Sequence, residues 1–339
     1  MESIFQKQDI MRRVVYSMIP LFLFATVLYG WRVLVQVAVV FAAGIVTEYL
    51  FTRRRGKKVS EAVLVTCAIY ALALPPALPL WITIVGIVFA VALAKEAYGG
   101  FGRNVFNVAI AGRLFIYISF PVPYNASWMA PATLGPSGLT GLFGTSGTVG
   151  VDTITAATPL AGIAGGDIPG LMELFLGFRA GSMGESSIVL ILLAMIYLLV
   201  TRTANWRMIL FTVLGALTAA VAFFFSGLIP GIDPASYRGL QAFIPIAVYM
   251  MSGSILYVAV FMSTDPITAP NNPLAQYVYG VIIGVVSILI RVFGGFPEGT
   301  SFGLFVANAF SPLLDEILPK KKKKKKAPAA RPATKEATA

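Results

Sequence analysis

Asp152-Thr153-Ile154-Thr155-Ala156-Ala157-Thr158, followed by Pro159 and Leu160, has the form D-x-x-[S/T]-x-A-T. On such a pattern a flavin transferase joins FMN to a threonine hydroxyl through a phosphoester. A threonine hydroxyl is a poor nucleophile, and the transferase supplies the activation, so the chain need only present an accessible segment. Thr158 is the candidate attachment residue, and Asp152, Thr155 and Ala157 are the positions the transferase reads. Pro159 disfavours helix at the residue before it and keeps Thr158 extended. The same seven residues also fit a plain loop of small side chains, so the pattern is a hypothesis that its context must decide.

Few other groups offer redox chemistry. The chain has no histidine and one cysteine, which leaves no usual ligand set for haem or an iron–sulfur cluster. Cys67 sits in an apolar run and reads as buried and inert. Asp265, beside Thr264 and Pro266, is an acidic group expected near membrane depth, where such groups mark ion or proton paths; a turn cap is the other reading. Arg113 reads either as a partner for a flavin phosphate or as half of a structural ion pair. Gly184, Glu185 and Ser186 could border a flavin ring, while Ser186 or Ser187 could instead cap the helix that follows. Trp128, Phe143 and Phe178 could stack on the ring or anchor at the membrane interface.

The elements that must position these residues are membrane helices. The 339 residues are 57% hydrophobic and 12% charged, with a mean hydropathy of +0.81. Continuous apolar runs of about 18 residues recur, the length of a helical span, and they do not alternate as barrel strands would. The expected fold is an all-α polytopic membrane protein with about ten transmembrane helices, near 14–31, 33–51, 61–75, 78–97, 104–121, 187–201, 206–228, 240–263, 274–293 and 301–318. Phe101-Gly102 through Asn107 resembles Phe302-Gly303 through Asn308. Each copy follows an apolar run that itself follows a proline-broken segment. This recurrence predicts two inverted five-helix repeats with some helices broken, an architecture known among transporters.

Of the 26 Lys and Arg, 21 fall on one side if the N-terminus is inside, so both termini are expected to be cytoplasmic. Residues 1–121 then form the first five-helix repeat and 122–186 an extracytoplasmic loop bearing Thr158. Residues 187–318 form the second repeat, and 319–339 a disordered basic cytoplasmic tail. That tail holds nine of the basic residues and one Glu, so the net charge of +11 is mostly local to it. It points to anionic lipid headgroups, not to nucleic acid.

Taken in order, Gly99 to Asn107, Asp152 to Leu160, Gly184-Glu185-Ser186-Ser187, Ser263-Thr264-Asp265-Pro266 and Phe296-Pro297-Glu298-Gly299 resemble the NqrB/RnfD family of membrane flavoproteins. The compact size is more similar to the RnfD branch than to the NqrB branch of sodium-pumping NADH:quinone reductases, and the lysine tail matches no pattern of either. The resemblance implies covalent FMN on Thr158, admits a non-covalent riboflavin, and implies single-electron transfer coupled to Na⁺ or H⁺ transport in a ferredoxin:NAD-type complex. It implies a bacterial plasma (inner) membrane location and partner membrane and peripheral subunits, among them a second flavinylated one, with ferredoxin and NAD bound elsewhere in the complex. The chain would be one component of an oxidoreductase, not catalytically complete alone. Architecture by itself leaves a second expectation, a non-redox solute transporter or channel similar to urea transporters.

Overall fold

The computed structural model describes residues 5–129, 131, 158–237, 239–294, 296 and 299–319. Asp152, Thr155, Ala157, Phe143, Glu298 and the lysine run lie outside the described residues. Each of the ten apolar stretches is helical. The first half runs α1 (Asp9–Tyr29), α2 (Arg32–Arg54), α3 (Ala62–Leu72), α4 (Leu80–Phe89), α5 (Val108–Ser119) and the short α6 (Pro121–Asn125). After the motif come α7 (Pro159–Ala164) and α8 (Leu171–Leu176), short helices on the expected loop. The second half runs α9 (Ile188–Val200), α10 (Trp206–Phe225), α11 (Phe243–Met251), α12 (Ile255–Tyr257), α13 (Pro273–Phe293) and α14 (Gly299–Ile317). Two-residue strands β1 (Phe5–Gln6) and β2 (Val59–Ser60) pair in parallel.

Four helices, α1, α2, α10 and α13, are long and apolar enough to cross a membrane, and a fifth span forms if α11 and α12 with its extension count as one helix bent by 60°. The protein is a multi-pass α-helical membrane protein. Its exterior is apolar, with Leu23, Ile118, Val200 and Phe225 each more than 60% exposed, as lipid-facing side chains must be. Small residues let α10 and α13 approach closely: a methyl group on Gly284 would collide with the backbone of Ala216 and Thr212.

The breaks follow from the sequence, and side chains absorb their free carbonyls, as a low-dielectric setting demands. Pro75 and Pro76 interrupt the run after α3. Arg32 donates to the carbonyls of Pro76 (3.1 Å) and Ala77 (2.8 Å), and Gln36 to that of Pro75 (3.3 Å). The N–H groups of Gly184 and Met183 reach the carbonyls of Leu72 (2.6 Å) and Leu74 (3.2 Å). The second break, Ser252 to Ser254 between α11 and α12, is closed by Arg179 on the Met251 carbonyl (2.7 Å) and Arg291 on the Ser252 carbonyl (3.2 Å). Both halves also contain a π-helical stretch, Ala90–Glu96 continuing α4 and Val258–Met262 continuing α12. The two Phe-Gly copies differ in backbone. Phe101 to Phe106 lie in turns with Gly102 at φ +86°, whereas Phe302 to Asn308 lie within α14.

Candidate functional site

Thr158 is the N-cap of α7, in an extended conformation (φ −66°, ψ 153°), with Pro159 at the first helical position. Its Oγ1 accepts a hydrogen bond from the N–H of Ala161 (3.4 Å). The cap uses only a lone pair, so the hydroxyl proton is not committed to it. The half-buried side chain lines a pocket of about 300 Å³ together with Trp128, Leu160, Arg179, Glu185 and Gly253. Pro159 and Leu160 thus sit directly over the second helix break.

Beneath this pocket the polar groups form a connected cluster. Arg113 on α5 is 1% exposed and pairs with Glu185 at 3.2 Å. It also donates to Ser301 (3.1 Å), Ser182 (3.1 Å) and Tyr124 (3.2 Å). The cluster therefore joins α5, α6, the segment before α9, and α14. Arg179 is 5% exposed and donates to the carbonyls of Met251 (2.7 Å) and Glu185 (2.6 Å). Tyr29 donates to the Arg179 carbonyl (2.9 Å) and lies 3.3 Å from Ser186 Oγ. Burial draws the Arg179 pKa below its ordinary value.

The residues expected to border a flavin take several roles. Glu185 lines the Thr158 pocket, but its carboxylate is engaged by Arg113. Gly184 packs against Leu72 and Tyr257, where a side chain would clash at 2.8 and 2.7 Å. Ser186 is buried and bonds the carbonyls of Ser182 and Met183 (both 3.3 Å). Ser187 caps α9 through the N–H of Leu190 (3.4 Å). Phe178 meets the ring of Phe24, and Trp128 that of Tyr124. Arg179 was missed at the level of sequence; the one signal for it is that it lies in a segment otherwise poor in basic residues.

Asp265 and Thr264 occupy a second and larger pocket, of about 750 Å³, between α1, α3, α5 and the turn after Val258–Met262. Its walls are mostly apolar, from residues such as Ile10, Val14, Val65 and Ile69; its polar groups include Asn104, Asn107, Asp265, Thr264 and Lys95. Asp265 caps its turn through the N–H of Ile267 (3.1 Å) and accepts from Asn107 Nδ2 (3.4 Å). Asn107 in turn caps α5 through the N–H groups of Ala109 and Ile110. Thr264 returns its hydroxyl to the Val260 carbonyl (2.9 Å). Lys95 ion-pairs with Glu48, both nearly inaccessible, and Glu48 also accepts from the N–H of Ser60 (3.0 Å). Among the described residues, no cluster of His, Cys, Asp and Glu could hold a metal ion by three or more ligands.

A broken-helix membrane body with a threonine-bearing pocket on one connection and an apolar-walled cavity that carries amide and carboxylate groups defines a class: multi-pass membrane proteins with polar sites set among their helices. Comparison with known proteins makes this more specific. The profile described as the NQR2, RnfD, RnfE family matches residues 2–324, and the chain belongs to that family. It is 34% identical over 313 residues to the B subunit of the Na(+)-translocating NADH-quinone reductase of Chromohalobacter salexigens, covering 89% of this chain and 69% of that one. It is 32% identical over 340 residues to the D subunit of the ion-translocating oxidoreductase complex of Aeromonas hydrophila, covering 92% and 93%. With the corresponding protein of Shewanella amazonensis it shares 31% identity, covering 91% and 92%.

Proposed function

We propose that this chain is the flavin-bearing membrane component of an ion-translocating oxidoreductase complex, with FMN joined to Thr158 through a phosphoester. The observation that carries the reading is the placement of Thr158. The last residue of the acceptor pattern stands at the edge of a pocket, extended, with its hydroxyl proton uncommitted. An ester oxygen keeps lone pairs, so the Ala161 bond survives attachment. The donor set fits the group: Arg179 faces the pocket that Thr158 borders, and a phosphodiester anion suits a guanidinium donor. The bound flavin would accept and pass on single electrons; the residues around Thr158 hold its tether and keep the interior polar groups satisfied.

The finer reading follows the relatives. Near-complete mutual coverage with the D subunit of the Aeromonas complex supports a ferredoxin:NAD-type complex, with the B subunit of a sodium-pumping NADH:quinone reductase as the alternative. Ten spans in two inverted repeats, both termini cytoplasmic, the Thr158 segment extracytoplasmic and a bacterial inner-membrane location complete the proposal, supported by the charge asymmetry. Ferredoxin and NAD then bind partner subunits, one of which is itself flavinylated, and Na⁺ or H⁺ is the coupling ion. A non-covalent riboflavin, if one is held, is assigned to the cavity at Asn104, Asn107 and Asp265, where a few polar groups sit between apolar walls, the general character of a small-molecule site.

The test is to make the full chain together with a flavin transferase. Intact mass is expected to show one added FMN, and the denatured band to fluoresce; Thr158→Ala abolishes both. Wild-type protein without covalent flavin under these conditions refutes the reading. Solute flux through the cofactor-free chain in liposomes would favour the transporter alternative.

A further inference from the structure

Arg179 stands out among the buried cations around the Thr158 pocket. Arg113 has Glu185, but Arg179 forms no ion pair among the described residues; its guanidinium bonds go to main-chain carbonyls. Glu185 is engaged by Arg113 through its side chain, bonds Arg179 through its carbonyl, and its charge still acts on Arg179 without an ion-pair contact. Arg291 lies close enough to repel Arg179 electrostatically. One carboxylate is thus shared by two buried arginines; an under-compensated buried charge is costly, and Arg179 faces the cavity that Thr158 also faces.

We propose that Arg179 is the anion-binding residue for the phosphodiester of a group esterified to Thr158, acting as a positioning residue and not in electron transfer itself. The proposal rests on the flavin attachment proposed above. A phosphodiester carries one negative charge and two free oxygens, which suit a planar guanidinium fork. Two of its nitrogens already hold the carbonyls of Met251 and Glu185, which fixes the plane of the group before any anion arrives. Tyr29 anchors the Arg179 main chain from α1, so the cation is held from behind as well. The tether would then be clamped at its phosphate, with the ring lying outside the small pocket.

The experiment uses full-length protein made with the transferase, in detergent micelles, and follows release of the flavin by a phosphodiesterase. Intact mass comes first: wild-type protein without FMN sinks the Thr158 assignment and this one with it. With FMN present, Arg179→Gln is expected to speed release by about tenfold or more, the size of a lost charge-assisted hydrogen bond. Arg179→Lys keeps the charge but not the fork, and is expected to restore part of the protection. Equal release from wild type and Arg179→Gln, or equal release from the Lys and Gln variants, overturns Arg179 alone. If Arg179→Gln fails to fold, the wild type decides: the flavinylated form should melt at a higher temperature than the unmodified form, and an equal or lower midpoint refutes the clamp.

Discussion

Neutralising either member of the Arg113–Glu185 pair should unsettle the whole junction between the two halves. Their side chains are 1% and 5% exposed and 3.2 Å apart. At an effective dielectric of about 20, two unit charges at that distance attract by about 5 kcal/mol, much of it offset by the cost of removing both from water. Removing one partner forfeits the attraction and leaves the other charge buried, a loss of about 3–5 kcal/mol. Arg113→Met should fall at the upper end, because Ser182, Ser301 and Tyr124 lose a donor as well. Glu185→Gln keeps the shape and should fall at the lower end. The double variant should cost clearly less than the sum, with a coupling of about 2 kcal/mol. Equilibrium unfolding by SDS in mixed micelles measures all four proteins. Single variants each costing under about 1 kcal/mol, or strict additivity within about 0.5 kcal/mol, would refute the view that this pair organises the junction.

Gly284→Ala should destabilise by about 1–3 kcal/mol in the same titration, because α13 must move away from α10, while Gly181→Ala, with nothing within 4 Å of the added methyl, should stay within about 0.5 kcal/mol. Tyr279→Phe removes the 2.6 Å bond to Asn308 between α13 and α14 and should cost about 1 kcal/mol. Glu61 accepts from Arg12 and from the N–H of Gln8, which holds its carboxyl below the ordinary range. A carboxylate with a depressed folded-state pKa stabilises above its unfolded value and loses that contribution as pH falls. The melting midpoint should therefore drop as pH is lowered below about 4.3, and Glu61→Gln should flatten that part of the profile.

The helices were readable because long apolar runs leave the backbone few alternatives, and the first break because Pro75 and Pro76 cannot continue a helix. The number of spans was less readable. α3, α5 and α9 are only 11, 12 and 13 residues long, since breaks and caps consume residues that hydropathy alone assigns to the helix. Similar letters do not fix the same backbone: Gly99, Gly100 and Gly102 take positive φ around Phe101, but Phe302 to Asn308 continue a helix. Ser187 as a helix cap and Arg113 as half of an ion pair were legible as alternatives. The carbonyl partners of Arg32 and Arg179 were not, because they come from chain breaks 44 and 72 residues away. Nor was the pairing of Lys95 with Glu48 across 47 residues.

The π-helical stretch Ala90–Glu96 has a consequence for how the chain tolerates changes in length. A π turn winds in more residues than an α turn, so this stretch stores a surplus residue. Deleting one residue between Ala90 and Ala94 would let the stretch tighten to α winding, and the residues beyond it would keep nearly their present angle. Lys95 would stay near Glu48 and Glu96 near Arg55, with Lys95 still on the cavity it lines. A regular helix such as α10 has no such reserve, and losing one residue there turns everything beyond it by about 100°. The wide turn thus works as slack in the chain, taking up a change in length that a regular helix passes on as a rotation.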